Sequence, residues 1–513
     1  MNYDEIFPKI VSHCKEYGFI FPSSEIYDGL GATYDYAQLG VELKNNLKTA
    51  WWKMMVQMNE NIVGLDSAIL MHPTVWKASG HVDAFSDPMI DNKDSKKRYR
   101  ADVLIEEYLD KLNAKSLKET EKRAKKEGWE VESENYQGFL KNNRDAKKAQ
   151  VVYGKFVKVL EDIDLVGMRD MIVENEIACP ESGSRNWSEV RQFNLMFKTQ
   201  LGATADGSFD IYLRPETAQG IFVNFSNVLK TSRQKIPFGI AQIGKAFRNE
   251  IVARQFIFRM REFEQMEMQF FIKPGTQKEW FAHWKNARMR FHLALGLPQT
   301  KLQYHEHEKL AHYADAAEDI QFRFPFGFKE MEGIHSRTDF DLNKHQEFSG
   351  KKLQYFDVEE NRNYVPYVIE TSVGLDRTFL AHLCQAYQEE MAPTAEGGQE
   401  ERVVLKLHPL LAPYKVAILP LVKKEGMPEI GRQIFDELKY DYLCTYDEKD
   451  AIGRRYRRQD CIGTPFCLTI DTQTLEDKTV TIRDRDTMKQ ERVAISEIRA
   501  ILAAKLDWRK VLS

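Results

Sequence analysis

The sequence predicts an α+β protein with an antiparallel-sheet body, a helical insertion and a C-terminal α/β domain. Between residues 238 and 271, two segments of alternating polarity flank a short loop, as in an antiparallel hairpin. A lysine-rich segment, residues 110–158, interrupts this body and has the composition of surface helices. After residue 415, strand and helix patterns alternate, which is typical of an α/β domain.

The composition is that of an ordinary globular protein of two to four domains, with 513 residues, 43% hydrophobic and 29% charged. The six cysteines form no C-x-x-C pair, which favours a reducing compartment. The N-terminus has acids where a signal peptide has bases, and the longest strongly apolar stretch, residues 416–422, is too short to span a bilayer. We therefore expect a soluble, cytoplasmic protein.

Charge is unevenly distributed along a chain whose net charge is −4. Residues 111–158 contain thirteen Lys or Arg and seven Asp or Glu, and a second basic cluster contains Arg454, Arg455, Arg457 and Arg458. Solvated helix faces explain both clusters, and so does local binding of a folded polyanion.

A long helix is predicted over residues 37–58. Its apolar residues recur every four positions, and Trp52 and Met58 widen the stripe. Such a stripe is expected either in the core or at a dimer interface. The stripe contains Leu39, Leu43, Leu47, Trp51 and Met55.

A strand is predicted to lead into Arg214-Pro215-Glu216, followed by a helix that begins near Thr217. Proline is common at the start of a helix, so Arg214 and Glu216 are explained equally well as capping charges. Taken alone, this segment is a weak indication of a site.

The predicted hairpin has one core face, with Met266, Met268 and Phe270, and one polar face. Its loop adds Arg254, Arg259 and Arg261, and arginine binds phosphate or carboxylate through two parallel hydrogen bonds. The hairpin therefore favours a polyanionic ligand, although a polar face is also the usual state of a solvated sheet. The polar face is predicted to contain Gln242, Arg248, Glu250, Phe263, Gln265, Glu267 and Gln269.

A third segment combines a strand predicted to end at Glu370, a turn at Gly374 and a helix with Arg377 in its first turn. The helix dipole disfavours a cation at this end, so Arg377 needs an anionic partner. Either an internal carboxylate or a nucleotide phosphate meets that need.

Residues 391–400, M-A-P-T-A-E-G-G-Q-E, are predicted to be a linker. Beyond it, the alternation predicts a small domain with a mostly parallel sheet. Its predicted strands are residues 416–422, 442–445, 466–470 and 480–483, and its predicted helices are residues 428–439 and 496–506.

Several common active-site motifs are absent from the sequence: a P-loop, a complete dinucleotide fingerprint at Gly29, G-x-S-x-G and H-E-x-x-H. His305, His307 and His312 are close in sequence, but no cysteine or repeated spacing supports a metal site.

Three segments resemble, in the expected order, the three signature motifs of class II aminoacyl-tRNA synthetases. They are Y-D-Y-A-Q-L-G with its long helix, F-R-N-E to R-E-F-E-Q-M-E, and G-L-D-R. Within this class, two segments resemble those of the dimeric glycyl-tRNA synthetases: L-R-P-E-T-A-Q-G-I-F and V-I-E-T-S-V-G-L-D-R. Two C-terminal segments resemble that family's anticodon-binding domain: G-R-R-Y-R-R-Q-D-C-I-G-T-P-F and V-T-I-R-D-R-D-T-M. The resemblance covers nearly the whole chain.

The resemblance implies a division into a catalytic domain (residues 1–100 and 161–392), a helical insertion (101–160) and an anticodon-binding domain (403–513). It also implies an ATP site in which Arg248 holds the α-phosphate, Glu250 binds the adenine amino group, Phe263 stacks on adenine and Arg377 reaches the γ-phosphate. Arg248 and Arg377 are thereby implied as the catalytic residues. The implied ATP-binding residues are Arg248, Asn249, Glu250, Phe258, Arg259, Met260, Arg261, Glu262, Phe263, Glu330, Met331, Gly374, Leu375, Asp376 and Arg377.

For glycine, the resemblance implies that Glu216 and Glu267 bind the ammonium group and that Ser372 supplies a hydroxyl contact. Arg100 resembles a further substrate contact, with Arg98 as its competitor. The implied glycine-binding residues are Arg100, Glu216, Phe263, Glu264, Gln265, Met266, Glu267, Glu370, Thr371, Ser372, Val373 and Gly374.

Two segments depart from the family pattern. Where some relatives have C-P-x-C-G, this chain has C-P-E-S-G from Cys179, so no structural zinc is expected. The loop of the second motif has A-R-Q-F-I-F where other branches have P-R-x-G-L, which leaves the branch open but not the chemistry.

The implied reaction has two steps: glycine attacks the α-phosphorus of ATP, and the 3′ end of tRNA(Gly) then takes the glycyl group. The implied partners are ATP with Mg²⁺, glycine, tRNA(Gly) and a second copy of the chain, which is expected to bind through the first motif, Y-D-Y-A-Q-L-G with the long helix to Met58. Arg454, Arg455, Arg457, Arg458, Arg483 and Arg485 are candidate contacts to the anticodon stem-loop. The alternatives are a class II synthetase for threonine, proline or histidine, and an inactive paralogue that binds nucleic acid.

Overall fold

The computed structural model describes residues 3–512 apart from 132, 203–208, 251–254, 308–313, 394–397 and 424–425. The chain divides into two compact units. The first contains Met1–Ser79, Phe197–Arg248 and Ala253–Ser513, and the second contains Gly80–Met196 and Asn249–Val252.

Helices and strands are distributed over both units, as expected for the predicted α+β class. The helices are α1 (Tyr3–Glu16), α2 (Gln38–Trp52), α3 (Pro73–Ala78), α4 (His81–Ala84), α5 (Ala101–Glu127), α6 (Glu134–Asn142), α7 (Arg144–Glu161), α8 (Leu165–Glu174), α9 (Ala218–Ser232), α10 (Gln277–Ala294), α11 (Phe340–Ser349), α12 (Leu375–Ala386), α13 (Met427–Leu438), α14 (Ile452–Ile462), α15 (Thr472–Asp477), α16 (Ile498–Lys505) and α17 (Arg509–Leu512).

The strands are β1 (Ile20–Pro22), β2 (Tyr34–Tyr36), β3 (Ile62–Gly64), β4 (Ser86–Asn92), β5 (Lys97–Arg100), β6 (Arg191–Asn194), β7 (Lys198–Leu201), β8 (Phe209–Tyr212), β9 (Phe238–Phe247), β10 (Glu262–Ile272), β11 (Leu302–Glu306), β12 (Ala316–Phe324), β13 (Gly327–Thr338), β14 (Tyr355–Asp357), β15 (Arg362–Tyr364), β16 (Tyr367–Gly374), β17 (Tyr387–Pro393), β18 (Gln399–Leu405), β19 (Val416–Pro420), β20 (Cys444–Tyr446), β21 (Phe466–Ile470), β22 (Thr479–Asp484) and β23 (Gln490–Ala494).

The central sheet of the first unit has the order β11-β12-β13-β16-β10-β9-β3 and is antiparallel except for the pairing of β3 with β9. The apolar side chains of β10, such as Met266, Met268 and Phe270, lie in one core cluster with residues of α2, α10 and α12. This packing leaves the polar face of β9, β10, β13 and β16 to form the candidate site. The predicted antiparallel body is therefore confirmed.

The stripe on α2 belongs to the core of its own unit. Leu43, Leu47, Trp51 and Met55 are fully buried and Leu39 is nearly so, which confirms the core interpretation. The helix continues through a π-helical turn, Lys53–Gln57, to the predicted end near Met58. A second copy would not contact these side chains, since they are already covered.

Strand β16 does not end at Glu370 as expected, but continues to Gly374. It remains paired on both sides, with Gln265 opposite Gly374 and Glu332 opposite Val373, so the backbone stays extended. Gly374 is itself extended, with φ of −72°, and α12 begins at the next residue, so the expected tight turn at Gly374 is wrong.

The predicted linker is also wrong where it can be seen. Residues 391–393 and 399–400 belong to β17 and β18, which pair antiparallel from Tyr387↔Leu405 to Pro393↔Gln399. Residues 394–397 of the predicted linker lie outside the described residues. Burial of Ala392 and Arg402 in this ladder overrides the glycine-rich composition.

The C-terminal sheet has the order β20-β19-β21-β22-β23. Strand β19 is parallel to β20 and β21, but β21–β22 and β22–β23 are antiparallel, so the expectation of a mostly parallel sheet is wrong. The few residues between β22 and β23 allow only a hairpin. Helix α14 contains the basic cluster for which a solvated helix face was one interpretation, and it connects β20 to β21, which both pair parallel with β19.

The second unit combines helices α5 to α8 with the sheet β5-β4-β6. Its own core includes Ile105, Phe156, Met168 and Trp187. Across the described parts of both units, no helix is both long and apolar enough to cross a membrane.

Candidate active site

Strand register brings polar side chains from several strands to one face of the central sheet. Gln265, Glu267 and Gln269 of β10 lie opposite Gly374, Ser372 and Glu370 of β16, respectively. On the other side of β16, Gly333 lies opposite Ser372 and His335 opposite Glu370. Because side chains alternate between faces, these residues line one surface.

Glu267 and Glu370 are the two deeply buried carboxyl groups of this surface, 2% and 5% exposed. Gln269 joins them, because its Nε2 donates to Glu267 Oε1 at 2.8 Å and to Glu370 Oε2 at 2.6 Å. Thr217, the residue before α9, donates its hydroxyl to Glu267 Oε2.

Glu216 is the third carboxylate of the group and is half-buried. Its Oε1 accepts from Gln219 Nε2 at 3.0 Å, and the same amide nitrogen donates to Asp341 Oδ1 at 3.0 Å. The expectation that a helix begins next to Glu216 is confirmed, since α9 begins at Ala218.

Sequence reasoning missed the cation that balances these acids. Arg337 Nη1 donates to Glu370 Oε2 at 3.0 Å, and its other nitrogens bond Asp341 at 2.8 and 3.0 Å. It also missed His335, whose Nδ1 is 2.8 Å from Glu370 Oε1. The polar run H-S-R-T predicts a loop as readily as a strand, but its alternation with buried Ile334 was an available signal.

The acids differ in protonation. Burial, then the negative charges of Glu370 and Glu216, raise the pKa of Glu267 well above its usual value. Burial also disfavours ionised Glu370, but Arg337 and His335 outweigh it and hold the pKa of that carboxyl well below its usual value. The pKa values of these two neighbouring carboxyl groups are therefore shifted in opposite directions, towards the neutral form for Glu267 and towards the ionised form for Glu370.

Three amide side chains on this surface have a buried hydrogen-bonding atom without a partner among the described residues. Gln242 accepts from Ser67 Oγ at 2.9 Å, yet its Nε2 has no such partner. Gln265 donates to Ser372 Oγ at 3.2 Å, and the Oε1 atoms of Gln265 and Gln269 likewise lack a partner in the described ranges. Buried polar atoms are usually satisfied, so these three indicate a polar ligand.

The cluster expected at the α-phosphate and adenine lies just beyond this surface. The Arg248 guanidinium is 5.3 Å from the ring centroid of Phe263. Arg248 Nε also donates to the Pro215 carbonyl at 3.1 Å, in the segment that leads to Glu216. The structure thus brings Arg248, Phe263 and the L-R-P-E segment together.

Arg377 has an internal carboxylate partner, Glu330. Its Nη1 donates to Glu330 Oε2 at 2.8 Å, and its guanidinium lies 4.4 Å from the centroid of the Phe258 ring. The charge of Arg377 is the main cause that lowers the pKa of Glu330. Arg377, Glu330 and Phe258 therefore form a second group of predicted ATP residues.

The loop between β9 and β10 is only partly described, and Arg254 lies outside the described residues. Arg261 donates through its backbone N to Ala32 O at 2.9 Å and through Nη1 to Gly31 O at 3.1 Å. Glu262 forms an exposed ion pair with Lys245, and Arg259 is half-buried.

Other predicted residues turn their side chains into the core. Glu264 pairs with Lys44 and Lys48 of α2 at 2.6 Å each. Asp376 accepts from Lys44 at 3.1 Å and from the backbone N of Glu264 at 2.7 Å. The remaining predicted residues with buried side chains are Met260, Met266, Met331, Thr371, Val373 and Leu375.

Three predicted residues lie in the second unit. Arg100 pairs with Asp87 at 3.1 Å and with Asp102 at 2.5 Å, whereas its competitor Arg98 pairs with Asp91 at 2.6 Å. Asn249 donates its backbone N to Leu195 O at 2.7 Å, and Glu250 is half-buried.

The expected anticodon contacts need correction. Arg455, Arg483 and Arg485 are 1–3% exposed and so cannot present their charges to a stem-loop. Arg455 donates to the carbonyls of Pro420, Leu421 and Asp447, and Arg483 pairs with Asp460. These arginines hold the C-terminal sheet together, and a basic run in the sequence does not reveal which of its members point inward.

His305 and His307 lie close together, with ring centroids 5.9 Å apart, whereas His312 lies outside the described residues. Among the residues that the structure describes, no group of three or more His, Cys, Asp or Glu side chains is arranged to hold a metal ion. The Cys179 thiol is buried against the Tyr99 hydroxyl, at 3.2 Å.

Three family models match consecutive parts of the chain. Residues 87–195 match "Glycyl-tRNA synthetase insertion domain 1", and residues 197–386 match "tRNA synthetase class II core domain (G, H, P, S and T)". Residues 415–505 match "Anticodon binding domain".

Similar proteins cover the chain almost completely. A glycine–tRNA ligase of Chlorobaculum tepidum is 53% identical over 97% of this chain and 99% of its own length. Those of Staphylococcus saprophyticus (50% identity, 97% and 98% coverage) and Clostridium perfringens (49%, 99% and 100%) are also similar. A solved prolyl-tRNA synthetase of Cryptosporidium parvum, complexed with L-proline and AMP, has a TM-score of 0.55 at 12% identity. It covers 98% of this chain and 76% of its own, and it shows the fold alone.

Proposed function

The chain belongs to the glycine–tRNA ligases, a family of class II aminoacyl-tRNA synthetases, and from this premise we propose which residues carry each step. The enzyme joins glycine to ATP, which forms glycyl-adenylate and pyrophosphate, and then transfers the glycyl group to the 3′ end of tRNA(Gly). Catalysis in both steps is proposed to depend on positioning and charge stabilisation, because no side chain of the site needs to act as a nucleophile.

Glycine offers only an ammonium and a carboxylate group for recognition. Glu216, Glu267 and Glu370 supply the negative charge that the ammonium requires, and Ser372 and Gln265 supply hydrogen-bonding groups beside them. The single observation that carries this assignment is the convergence of three carboxyl groups on one face of the sheet. Larger amino acids are excluded by size, and no smaller competitor exists, so editing is unnecessary.

ATP is a substrate of this class, and its binding residues are part of the proposal. Phe263 stacks on adenine, Arg248 holds the α-phosphate and Arg377 binds the γ-phosphate, where each neutralises charge that develops during the displacement. Arg377 exchanges its bond with Glu330 for one with phosphate. The further predicted contacts, including Glu250, Arg259 and Arg100, keep the roles that the resemblance implies.

Mg²⁺ belongs to the same proposal. It binds oxygen atoms and keeps several waters, so one or two carboxylates beside the substrate phosphates suffice to hold it. Glu330 fits as such a carboxylate because it lies 2.8 Å from Arg377, the proposed γ-phosphate ligand. When bound, the ion supplies positive charge to the triphosphate.

For tRNA, residues 403–513 form the proposed anticodon-binding domain, with Arg454 and Arg458 of α14 as the candidate contacts. Arg454 is exposed, and Arg458 is 43% exposed beside Asp447 and Asp450. The proposed catalytic domain contains residues 1–100 and 161–392, with residues 101–160 as its helical insertion. A cytoplasmic location suits an enzyme of translation.

The chain is proposed to work as a homodimer. The loop between β1 and β2 exposes Ile26, Tyr27 and Leu30, at 87%, 80% and 58% of their surface. Exposed apolar clusters of this kind are typical of protein interfaces. The same loop provides the Gly31 and Ala32 carbonyls that hold Arg261, so a second copy seated on it would support the loop of the ATP site.

ATP–pyrophosphate exchange with individual amino acids tests this function. We expect exchange with glycine and none with threonine, proline or histidine. Replacing Glu267 with alanine should lower kcat/KM for glycine by roughly 10- to 10²-fold, because a charged hydrogen bond to the ammonium contributes about 1.5–3 kcal/mol.

The matched control is Glu347→Ala, on the surface of α11 with a side chain 62% exposed, which should exchange at the wild-type rate. Circular dichroism and the thermal midpoint would establish that Glu267→Ala retains the fold. Normal glycine-dependent exchange by a folded Glu267→Ala protein would refute the assignment.

A further inference from the structure

His335 lies at the proposed glycine site but is not among the residues predicted to bind ATP or glycine. It lies on β13 directly opposite Glu370 of β16, and its Nδ1 is 2.8 Å from Glu370 Oε1. The His335 side chain is 20% exposed, whereas Glu370 is 6% exposed. The imidazole is therefore the more accessible partner of a nearly inaccessible carboxylate.

The two oxygens of Glu370 are occupied differently. Oε2 accepts from Gln269 Nε2 at 2.6 Å and from Arg337 Nη1 at 3.0 Å, which fills its two lone pairs. Oε1 accepts from His335. An ammonium group that binds Glu370 must therefore use Oε1, the oxygen that the imidazole already contacts.

The imidazole also lies on the substrate side of the sheet. A Cβ atom on Gly333 would be 2.7 Å from His335 Cε1, so the ring lies against the Gly333 backbone. Gly333 is opposite Ser372, the proposed hydroxyl contact for glycine. The ring thus extends from Glu370 towards Ser372, along the surface that the substrate is proposed to occupy.

Charged groups on several strands surround the ring. Asp319 of β12 lies opposite Gly333, His307 has its ring centroid 6.1 Å from that of His335, and Glu330 precedes it on β13. Arg337 is the nearest cation on its own strand. Burial lowers the pKa of His335, but Glu370 outweighs burial and raises it above its ordinary value, with Arg337 opposing and Asp319 assisting.

We propose that His335 sets the affinity for glycine, because its cationic imidazole binds Glu370 Oε1 and gives up its proton to solvent when the substrate ammonium binds there. Two cations on one oxygen repel each other, so binding of one favours loss of charge by the other. His335 is thus a positioning residue for Glu370 that also opposes the substrate at low pH. The proposal rests on the assignment of Glu370 to the glycine ammonium.

The sign of the pH dependence follows from this competition. Below the raised pKa of His335 the imidazolium is present and glycine binds less tightly; above it, the neutral ring no longer repels the ammonium. The KM for glycine should therefore fall by about tenfold between pH 6 and pH 8, within the ordinary range of linked binding effects. The value of kcat should change little, because the ring does not touch the reacting atoms.

The experiment measures KM for glycine by ATP–pyrophosphate exchange from pH 6 to pH 8.5. His335→Gln should have a lower KM for glycine than the wild type at pH 6, and its KM should fall less steeply with pH, because only the contribution of Glu267 remains. His305→Gln, on the exposed face of β11 two strands away from β13 in the sheet, is the matched control and should follow the wild type. A higher KM for His335→Gln at every pH, or a profile parallel to the wild type, would overturn the proposal.

A Glu370→Gln variant separates this proposal from the proposed function. If its KM for glycine is normal, Glu370 does not bind the ammonium and the assignment of the site fails. If its KM rises but His335→Gln keeps the wild-type pH profile, only the inference about His335 fails.

Nuclear magnetic resonance of wild-type protein with ¹³C-labelled histidine gives a second measurement that does not depend on variant activity. The signal absent from His335→Gln identifies His335. Its titration should move to lower pH when glycine is added, and an unchanged titration would contradict the proposal.

Discussion

Glu267 is a carboxyl group that is 2% exposed and lies beside two further acids, Glu216 and Glu370. A charge in such a place is costly, so burial and the neighbouring acids raise the pKa of Glu267 and favour its neutral form. Substrate ammonium is the cation that binds there in the proposed function, and its binding favours ionised Glu267. Burial of Glu267 therefore favours binding of a cationic ligand, such as the glycine ammonium.

The raised pKa of Glu267 predicts how stability depends on pH. Between its unfolded and folded pKa values, the native protein binds more protons than the unfolded chain, so stability falls as pH rises through that interval. Glu267→Gln has no such proton to lose. Its stability relative to the wild type should therefore increase from pH 5 to pH 8, by at most about 1.4 kcal/mol per pH unit.

Thermal unfolding midpoints measured without glycine at pH 5, 6.5 and 8 check this prediction. Glu347→Gln, an exposed carboxylate in α11, should stay parallel to the wild type throughout. Parallel curves for Glu267→Gln as well would show that the carboxyl is not protonated in the empty site.

At the residue scale, the sequence predicted the groups that belong to recognisable segments, such as Arg248, Phe263 and Arg377. The structure places Arg248 against Phe263 and Arg377 against Phe258. It also reveals Arg337 and His335, which no local pattern marked. Their significance depends on pairing between β13 and β16, which are about thirty residues apart in sequence, and a single sequence does not contain this register.

At the scale of single elements, α14 is a helix with a basic sequence that is held in place by buried ion pairs. Asp460, fully buried in this helix, accepts from Arg483 Nη1 at 2.8 Å and from Arg402 Nη1 at 2.8 Å. These bonds join α14 to β22 and β18. The amphipathic pattern that would predict α14 is obscured because arginine occupies an inward-facing position as well as the exposed ones.

Asp460→Asn should therefore destabilise the protein by about 3–5 kcal/mol, since it leaves buried arginines without their countercharge. The expected result is a lower thermal midpoint together with reduced tRNA charging. Arg454→Gln, on the exposed side of the same helix, should leave the midpoint unchanged, weaken charging and spare pyrophosphate exchange.

Equal midpoints for Asp460→Asn and the wild type would contradict the structural role of this cluster. A loss of exchange in Arg454→Gln equal to its loss of charging would instead contradict the proposed separation between adenylate formation and tRNA binding.

Other elements were predictable to the extent that local pattern determines them. The helix α2, the start of α9 and the strand β21 lie where periodicity placed them. The extent of β16 and the hairpin β17–β18 were not predicted, because pairing with distant strands continues an extended backbone through glycine and proline. Strand β22 runs antiparallel to β23 because the connection between them is short, and the residues of β22 alone do not indicate this.

At the scale of the whole molecule, the exposed loop with Ile26, Tyr27 and Leu30 predicts the assembly. Ile26→Asp combined with Tyr27→Asp should convert a dimer to a monomer in sedimentation equilibrium, because buried like charges oppose association. The variant should also have a higher KM for ATP, since Gly31 and Ala32 of this loop hold Arg261.

Tyr440→Asp is the control, because Tyr440 is 83% exposed near the C-terminal end of α13 and should leave the dimer intact. A wild-type monomer, or a double variant that remains dimeric with an unchanged KM for ATP, would show that this loop is not the interface.

The fold class and the activity were predictable because they rest on long segments that are specific to one family. The confirmed antiparallel body and the glycine–tRNA ligase relatives agree with those segments. Which acid is neutral, and which arginine is buried, depends instead on the electric field and packing of the assembled chain. Those properties had to be taken from the three-dimensional arrangement.

The most direct measurement is a crystal structure with a non-hydrolysable analogue of glycyl-adenylate. The account predicts the ammonium nitrogen within hydrogen-bonding distance of Glu267 and of at least one of Glu216 and Glu370, with adenine on Phe263. An ammonium group turned away from all three carboxylates would contradict it.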